Sequence, residues 1–306
     1  MTSCYLTILS CGSAKPTATQ TPSSQLLRLR DKDFLIDCGE GAQLTMARMR
    51  LLPPHRLGHI FISHLHGDHC LGLIGLISTL GMLHRTADLH IHAPAPAERL
   101  FSQWLDFFCK DNTFKVLFHE IDTRKHEVIY EDNTVTVKSL PLKHTVPCCG
   151  FLFEEKLGLR HYKREIGDAY GISTAYITAI KQGADYVMPD GRVIPNSELT
   201  TDPDKPFRYA YCSDTAYNER LVEMIEGVDC LYHEATFTEE LLMRAKETGH
   251  STARQAAEIA RLAHAKQLII GHFSSRYNDV MPLLEEAREV FSNTRIATPE
   301  TRIEFK

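Results

Sequence analysis

Four residues that can bind a metal ion lie close together near the start of the chain. They are His64, His66, Asp68 and His69. They follow the apolar run His59–Ile62, which is typical of a short buried strand. Zinc binds imidazole nitrogen and carboxylate oxygen, and a loop at a strand end can direct several side chains towards one point. Histidines can decorate any surface loop, but this spacing favours a metal site, and Gly67 permits a tight backbone path there.

One such loop cannot complete two metal sites, so we expect further ligands at the ends of other strands. Three residues hold that position: His144, Asp214 and His272. The predicted strands before them end at Leu140, Cys212 and Gly271, respectively. Taken alone, each of these residues is better explained as an ordinary loop residue than as a metal ligand. Together with the first cluster, they predict a metal centre at one edge of a sheet.

The elements that must position these residues alternate along the chain. Short apolar runs typical of strands are followed by turns and then by helical patterns, which indicates a layered α/β protein. This alternation of strand and helix patterns stops at about residue 155 and resumes at Arg208. We therefore predict one domain over residues 1–306, with 155–206 as an inserted, projecting arm. The last predicted element is a closing helix, Asn278–Phe291.

Composition excludes several classes of protein. The 306 residues are 43% hydrophobic and 24% charged, which is typical of a globular chain rather than a fibrous or disordered one. No apolar run approaches the roughly 18 residues of a membrane span, and the N-terminus does not resemble a signal peptide. A net charge of -5 argues against a protein that coats nucleic acid through a broadly basic surface. The nine cysteines lack C-x-x-C spacing, which indicates reduced thiols and a cytoplasmic location.

The ligand constellation resembles that of the metallo-β-lactamase superfamily. The resemblance implies an αββα sandwich with the metal site at one edge. It assigns His64, His66 and His144 to one zinc ion, and Asp68, His69 and His272 to the other, with Asp214 bridging them. Asp37 matches the superfamily's first motif, where the residue supports the metal loop through hydrogen bonds. Such support of metal ligands is physically expected.

Three further segments resemble motifs of tRNase Z (ribonuclease Z), the endonuclease that trims precursor tRNA. These are the H-E-A-T segment His233–Thr236, the H-S-T segment His250–Thr252, and H-F-S-x-R-Y at His272–Tyr277. Each has a simpler structural explanation by itself. Thr252 could cap a helix, Glu234 could belong to a buried pair with His233, and Arg276 could pair with a carboxylate. Their order around the metal ligands favours the tRNase Z resemblance, which covers most of the chain.

That resemblance implies a homodimeric endoribonuclease with two zinc ions per chain. Asp68 would bind zinc and accept a proton from water, His250 would protonate the leaving 3′-oxygen, and Glu234 would orient a histidine. Ser274 and Arg276 would bind substrate phosphate. The predicted products are a tRNA with a 3′-hydroxyl and a trailer with a 5′-phosphate. The ligands also accept manganese or iron.

The arm is predicted to bind the body of the precursor tRNA. Its basic residues precede the acidic Glu165; they are Lys156, Arg160, Lys163 and Arg164. Such a patch suits phosphate contacts, although it could be an ordinary solvated face. The glycine-proline motif that is usual in the arms of bacterial family members is absent.

Two other functions remain open at this point. A superfamily hydrolase acting on a small phosphodiester would explain the altered arm. A non-catalytic RNA-binding relative belongs to a different class, and the complete ligand set argues against it. A β-lactamase is disfavoured because Asp68 and Asp214 suit a phosphodiesterase better.

Overall fold

The computed structural model describes residues 4–17, 20–52 and 56–305. Within these ranges the chain forms two seven-stranded sheets, two two-stranded sheets and eleven α-helices. None of the described helices is long and apolar enough to cross a membrane. The nine cysteines are all free, and eight of them are buried.

The first sheet is mixed. In chain order its strands are β1 (Cys4–Ser10), β2 (Ser24–Leu29), β3 (Lys32–Ile36), β4 (Leu57–Phe61), β5 (Leu89–Pro94), β6 (Val116–Ile121) and the C-terminal β18 (Thr301–Glu304). Their order in space is β18-β1-β2-β3-β4-β5-β6. The strands from β18 to β3 pair antiparallel, and those from β3 to β6 pair parallel. The parallel strands therefore end at one edge, where the loop after β4 begins.

The second sheet brings the other predicted ligands to an edge in the same way. Its strands are β7 (Val128–Glu131), β8 (Val135–Pro141), β9 (Cys149–Glu155), β14 (Arg208–Cys212), β15 (Cys230–Glu234), β16 (Leu268–Gly271) and β17 (Thr294–Ile296). Their order is β17-β16-β15-β14-β9-β8-β7. The strands β14 to β17 are parallel.

Aromatic side chains pack the two sheets face to face. The ring of Phe61 lies 5.4 Å from that of Phe151, and Phe34 lies 5.5 Å from Phe153. The inner faces thus share one apolar layer, in which burial of the rings stabilises the sandwich.

Helices cover the outer faces of both sheets. On the first sheet lie α1 (Ala42–Arg48), α2 (Gly67–Cys70), α3 (Leu73–Met82) and α4 (Ala97–Phe108); the second sheet carries α8 (Leu221–Met224), α10 (Ala253–Leu262) and α11 (Met281–Val290). A further helix, α9 (Leu242–Thr248), precedes α10 in the chain. Apolar residues of α3, such as Leu76 and Leu80, are buried with Ile60 of β4. On the other side, Ile259 of α10 is buried with Ile270 of β16. The predicted layered α/β architecture is confirmed.

The C-terminal prediction was wrong in one respect. The helix predicted over Asn278–Phe291 exists as α11, but it does not close the fold, because β17 and β18 follow it. These strands have three and four residues and pair at the edges of the two sheets. Strands this short leave little alternation to read in a sequence. The central strand β9 also went unpredicted.

Residues 154–207 form a compact unit of their own, together with residues 132–136. Within it, β10 (His161–Tyr162) pairs with β13 (Thr200–Thr201), and β11 (Tyr186–Val187) pairs with β12 (Val193–Ile194). Its helices are α5 (Arg164–Ala169), α6 (Thr174–Lys181) and α7 (Asn196–Leu199). A small core that includes Ile180, Ile194 and Leu199 holds these elements together. The segment 155–206, predicted as an arm, lies within this unit.

Four histidines form a stack on the inner face of the first sheet. They are His59 of β4, His90 and His92 of β5, and His119 of β6. Neighbouring rings lie 4.7–5.3 Å apart and are close to parallel. His59 Nδ1 lies 3.1 Å from His92 Nε2, so these two nitrogens share one proton. Burial, together with the three neighbouring imidazoles, lowers the pKa of His92 to about 2.

The pH dependence of folding tests this stack. His92 titrates near pH 6.5 in an unfolded chain, but its pKa is about 2 in the folded protein. Between these values only the unfolded chain binds the proton. The free energy of unfolding should therefore fall by about 1.4 kcal/mol for each pH unit below 6.5 through this residue. His92→Phe keeps a ring and should remove this slope.

Urea unfolding between pH 7.5 and 5 measures the difference. His84→Asn, at an exposed position, is the control and should keep the wild-type slope. An unchanged slope in His92→Phe would show that other groups govern the acid sensitivity.

Candidate metal centre and active site

The seven predicted ligands meet where the strands of both sheets end. His64 and His66 lie in the loop after β4, and Asp68 and His69 lie in α2. His144, Asp214 and His272 follow β8, β14 and β16, respectively. Two groups of side chains contain all seven residues, and within each the potential ligand atoms lie within 4.8 Å of one another; they are His64, His66, His144 and Asp214, and Asp68, His69 and His272. A third group with the same spacing joins Asp214, His250 and His272.

Asp214 lies between the two groups and turns one oxygen towards each. Its Oδ2 is 3.7 Å from His64 Nε2 and 3.6 Å from His144 Nε2. Its Oδ1 is 3.5 Å from His69 Nε2 and 3.2 Å from His272 Nε2. A single carboxylate in this position can bridge two cations.

The distances between donor atoms fit a divalent metal. His66 Nδ1 is 3.0 Å from His64 Nε2 and 3.3 Å from His144 Nε2. Ligand atoms around one tetrahedral zinc ion are about 3.3 Å apart, given bonds of about 2.0–2.1 Å. In the part of the chain that is described, the buried Nε2 atoms of His69 and His272 have no hydrogen-bond partner. A metal ion would satisfy both atoms.

Outer hydrogen bonds fix which ring nitrogen faces the centre. Four histidines use Nδ1 for a contact away from it: His69 with Asp37 Oδ2 at 2.7 Å, His144 with the Gly249 carbonyl at 3.0 Å, His272 with Thr236 Oγ1 at 3.1 Å, and His64 with Ser63 Oγ at 3.0 Å. With the proton held on Nδ1, each Nε2 keeps a lone pair for a metal.

Asp37 supports the centre without facing it. This residue is fully buried and has a left-handed backbone, with φ of 55°. Its Oδ1 accepts the Ser63 N–H at 2.8 Å, and its Oδ2 accepts the hydroxyl of Ser63 at 2.9 Å as well as His69 Nδ1. The carboxylate thus ties the metal loop to the end of β3.

The charges of the cluster call for cations. Burial by itself would raise the pKa of Asp68, yet the neighbouring imidazoles of His272 and His69 hold it well below its usual range. Burial would lower the pKa of His69, but the carboxylates of Asp214 and Asp37 outweigh burial and raise it. Buried carboxylates therefore lie close together in an environment that favours positive charge.

His250 and Glu234 form a buried pair beside the ligands. Glu234 Oε1 accepts from His250 Nδ1 at 2.8 Å and from the Thr215 N–H at 3.0 Å. Its Oε2 accepts the Thr236 hydroxyl at 2.6 Å. Burial would lower the pKa of His250, but the Glu234 carboxylate raises it to about 9. His250 is therefore a charged donor at neutral pH.

A cavity of about 470 Å³ opens over this arrangement. Metal-ligand candidates line it together with His250, Ser274 and Arg276. Sequence reasoning missed Arg244 of α9, which also lines the cavity, because the residue belongs to no motif. The loop after β1 also reaches the centre, because Ala14 N donates to Asp68 Oδ2 at 2.9 Å.

Known proteins with similar sequences share one name. The chain is 55% identical to a ribonuclease Z of Bacteroides fragilis over 95% of this chain and 96% of that protein. It is 54% identical to a ribonuclease Z of Porphyromonas gingivalis over 97% of this chain and 98% of that one. The chain belongs to the ribonuclease Z family.

Family models and solved structures agree on the fold. A beta-lactamase superfamily domain model matches residues 199–273, and a model described as anti-Pycsar protein Apyc1 matches residues 4–165. Human tRNase Z, short form, has a TM-score of 0.71 at 24% identity over 98% of each chain. A metallo-β-lactamase fold protein of Bacillus subtilis has a TM-score of 0.70 at 19% identity, over 99% of this chain and all of that one. The predicted metallo-β-lactamase fold and ribonuclease Z resemblance are confirmed, and the chain is a hydrolytic endoribonuclease.

The ribonuclease Z motifs have distinct structural roles here. Thr252 is the N-cap of α10, and Gln255 completes a capping box with it. His233 is buried, and its Nδ1 donates to the Glu234 carbonyl at 2.7 Å. Arg276 lies over the Phe237 ring at 5.0 Å and donates to Ser274 Oγ at 3.1 Å. Only part of each motif therefore faces the cavity.

The basic residues of the arm belong to the smaller unit. Arg160 is bound internally, since it pairs with Asp202 at 2.8 Å and donates to Thr200 Oγ1 at 2.7 Å. Arg164 is highly exposed, 3.8 Å from Asp168. Lys163 Nζ lies 3.3 Å from the Ser197 carbonyl. Lys156 donates its backbone N–H to the Thr134 carbonyl.

Proposed function

We propose that this endoribonuclease uses two zinc ions to remove the 3′ trailer from precursor tRNA. The cut would leave a 3′-hydroxyl on the tRNA and a 5′-phosphate on the trailer. One observation carries the chemistry: Asp214 turns its two oxygens to two separate ligand groups beside the His250–Glu234 pair. The choice of substrate is supported by the relatives named ribonuclease Z and the similar fold of human tRNase Z.

In the proposed centre, three histidines would hold one ion and a mixed group of side chains the other. His64, His66 and His144 would hold the first ion, and Asp68, His69 and His272 the second, with Asp214 shared. Nitrogen and oxygen donors of this kind suit zinc. When bound, the ions neutralise phosphate charge and make a water molecule more acidic.

The side chains around this centre supply the remaining chemistry. Asp68, anchored by the Ala14 N–H, orients the attacking water and receives its proton. His250 donates a proton to the leaving 3′-oxygen, and Glu234 keeps its imidazole charged and correctly turned. Arg244 and Arg276 line the cavity and can bind phosphate oxygens on either side of the cut.

The position of cleavage tests the proposal directly. Zinc-loaded protein should cut a precursor tRNA once, after the discriminator base, and release a trailer that carries a 5′-phosphate. Asp68→Ala should abolish this cut, because it removes both a metal ligand and the group that orients water. End-labelled substrate on a sequencing gel gives the position, and circular dichroism confirms that the variant is folded.

Other outcomes would favour the alternatives. No cleavage of precursor tRNA, with continued hydrolysis of a small chromogenic diester, would indicate a phosphodiesterase for a different substrate. The absence of bound metal in protein purified without chelator would contradict the part of the proposal that assigns two zinc ions to the centre.

A substrate with sulfur in place of the bridging 3′-oxygen tests the role of His250. A thiolate leaves without protonation, whereas an alkoxide needs a proton. His250→Gln should therefore slow cleavage of the normal substrate by about 10²–10⁴-fold, and slow the sulfur substrate far less. His264→Gln, at an exposed histidine, is the matched control. Equal slowing on both substrates would exclude proton donation by His250.

We further propose that the unit of residues 154–207 binds the body of the tRNA. The support is the basic stretch from Lys156 to Arg164, which contains no acidic residue and in which Arg164 is highly exposed. Arg160 would contribute through the shape of the unit, because Asp202 neutralises its charge. Lys156 lies at the start of the same unit and adds to the positive charge of that stretch.

Removal of two of these charges should weaken tRNA binding only. The double variant Lys163→Ala/Arg164→Ala should raise KM for precursor tRNA and leave kcat unchanged. It should lower the salt dependence of binding by about one unit of slope for each phosphate that the arm no longer neutralises. Arg261→Ala, which removes an exposed cation from α10, is the control. An equal loss with a small diester would contradict a role confined to tRNA binding.

The proposal also includes an oligomeric state and a cellular location. We infer a homodimer from the tRNase Z resemblance, and the exposed rings of Trp104, Phe107 and Phe108 on α4 offer apolar surface for an interface. Sedimentation equilibrium distinguishes a dimer from a monomer. The nine free cysteines support a reducing, cytoplasmic location, which fractionation of cells would test.

A further inference from the structure

Tyr211 is buried between the two sheets, beneath the metal centre. It lies in β14, three residues before Asp214. Its ring stacks on Tyr232 at 5.1 Å and lies 6.4 Å from Phe151, nearly parallel to both. These contacts fix the direction of its hydroxyl group.

That hydroxyl donates to Asp37 Oδ2 at 2.7 Å. The same oxygen accepts His69 Nδ1, also at 2.7 Å. Two hydrogen bonds therefore connect the phenol of the second sheet to a metal-ligand candidate of the first. Burial raises the pKa of Tyr211 well above its usual value, so the hydroxyl keeps its proton and remains a donor.

The connection spans the gap that the centre must bridge. His69 and Asp214 come from opposite sheets, and His69 Nε2 lies 3.5 Å from Asp214 Oδ1. Tyr211 is joined to Asp214 through only two residues of backbone, and to His69 through the carboxylate of Asp37. Tyr211 is thus connected to both residues of the contact, His69 and Asp214.

We propose that Tyr211 is a positioning residue of the metal centre, whose hydroxyl sets the geometry of His69 relative to Asp214 by way of Asp37. This inference rests on the proposed metal-dependent function. A hydrogen bond to the group that orients a metal ligand commonly affects metal affinity by about 10–100-fold.

The same strand offers a matched control. Tyr209 is also fully buried, and its hydroxyl also joins the two sheets, through Gln25 Oε1 of β2 at 2.5 Å. Tyr209→Phe therefore removes the same kind of inter-sheet bond, but one that ends on an amide rather than on Asp37. A purely structural hydroxyl would make the two variants behave alike.

Zinc affinity of the metal-free protein is the decisive measurement. In competition with a chromogenic chelator, Tyr211→Phe should bind zinc about tenfold or more weakly than wild type, and Tyr209→Phe should match wild type. The cobalt absorption spectrum should change in Tyr211→Phe alone. Replacement of Tyr211 by 4-aminophenylalanine keeps a hydrogen-bond donor on the same ring and should restore the affinity.

Three results would overturn the inference: unchanged affinity in Tyr211→Phe, equal weakening in both variants, or a Tyr211→Phe chain that does not fold. In the last case the hydroxyl would hold the sheets together instead of the centre. If the wild-type protein bound no zinc, the proposed function itself would fail, which separates the two conclusions.

Discussion

The structure depends on bringing carboxylates and imidazoles together at the common edge of two sheets. Parallel strands end side by side, so each sheet delivers its polar strand-end residues to one line, and packing the sheets face to face brings the two lines together. The apolar layer of Phe34, Phe61, Phe151 and Phe153 provides the burial that offsets the cost of desolvating these charges. The free-energy cost of burying charged groups is therefore concentrated at this site.

Around that centre, the histidines differ in the group that binds Nδ1 of each imidazole. Asp37 and the Gly249 carbonyl accept hydrogen bonds from Nδ1 of candidate ligand histidines, so that Nε2 keeps a lone pair for a metal. Glu234 instead pairs with a histidine that faces the cavity and makes it a cation. The groups behind similar imidazoles thus prepare them for the two proposed roles, metal ligand and proton donor. This division fits hydrolysis of a phosphodiester, in which charge is neutralised and a leaving oxygen is protonated.

The sequence predicted which side chains meet at the strand ends, because strand-end position and residue type together restrict where they can lie. It predicted less where long-range packing decides. Arg244 reaches the cavity only through the path of α9, and no local pattern marks it. Arg160 looked like part of a phosphate-binding patch, but Asp202, distant in sequence, neutralises it. The strands β17 and β18 are stabilised by pairing with neighbours from elsewhere in the chain, so their own residues carry little signal.

The bridging position of Asp214 has a consequence for how the proposed centre fills. A carboxylate carries one negative charge, so a first divalent ion at Asp214 would already outweigh it, and a second ion would have to share this donor with the first. The two occupancies would therefore be coupled through Asp214. Zinc titration of the proposed centre would then report on the pair of ions and not on two separate sites.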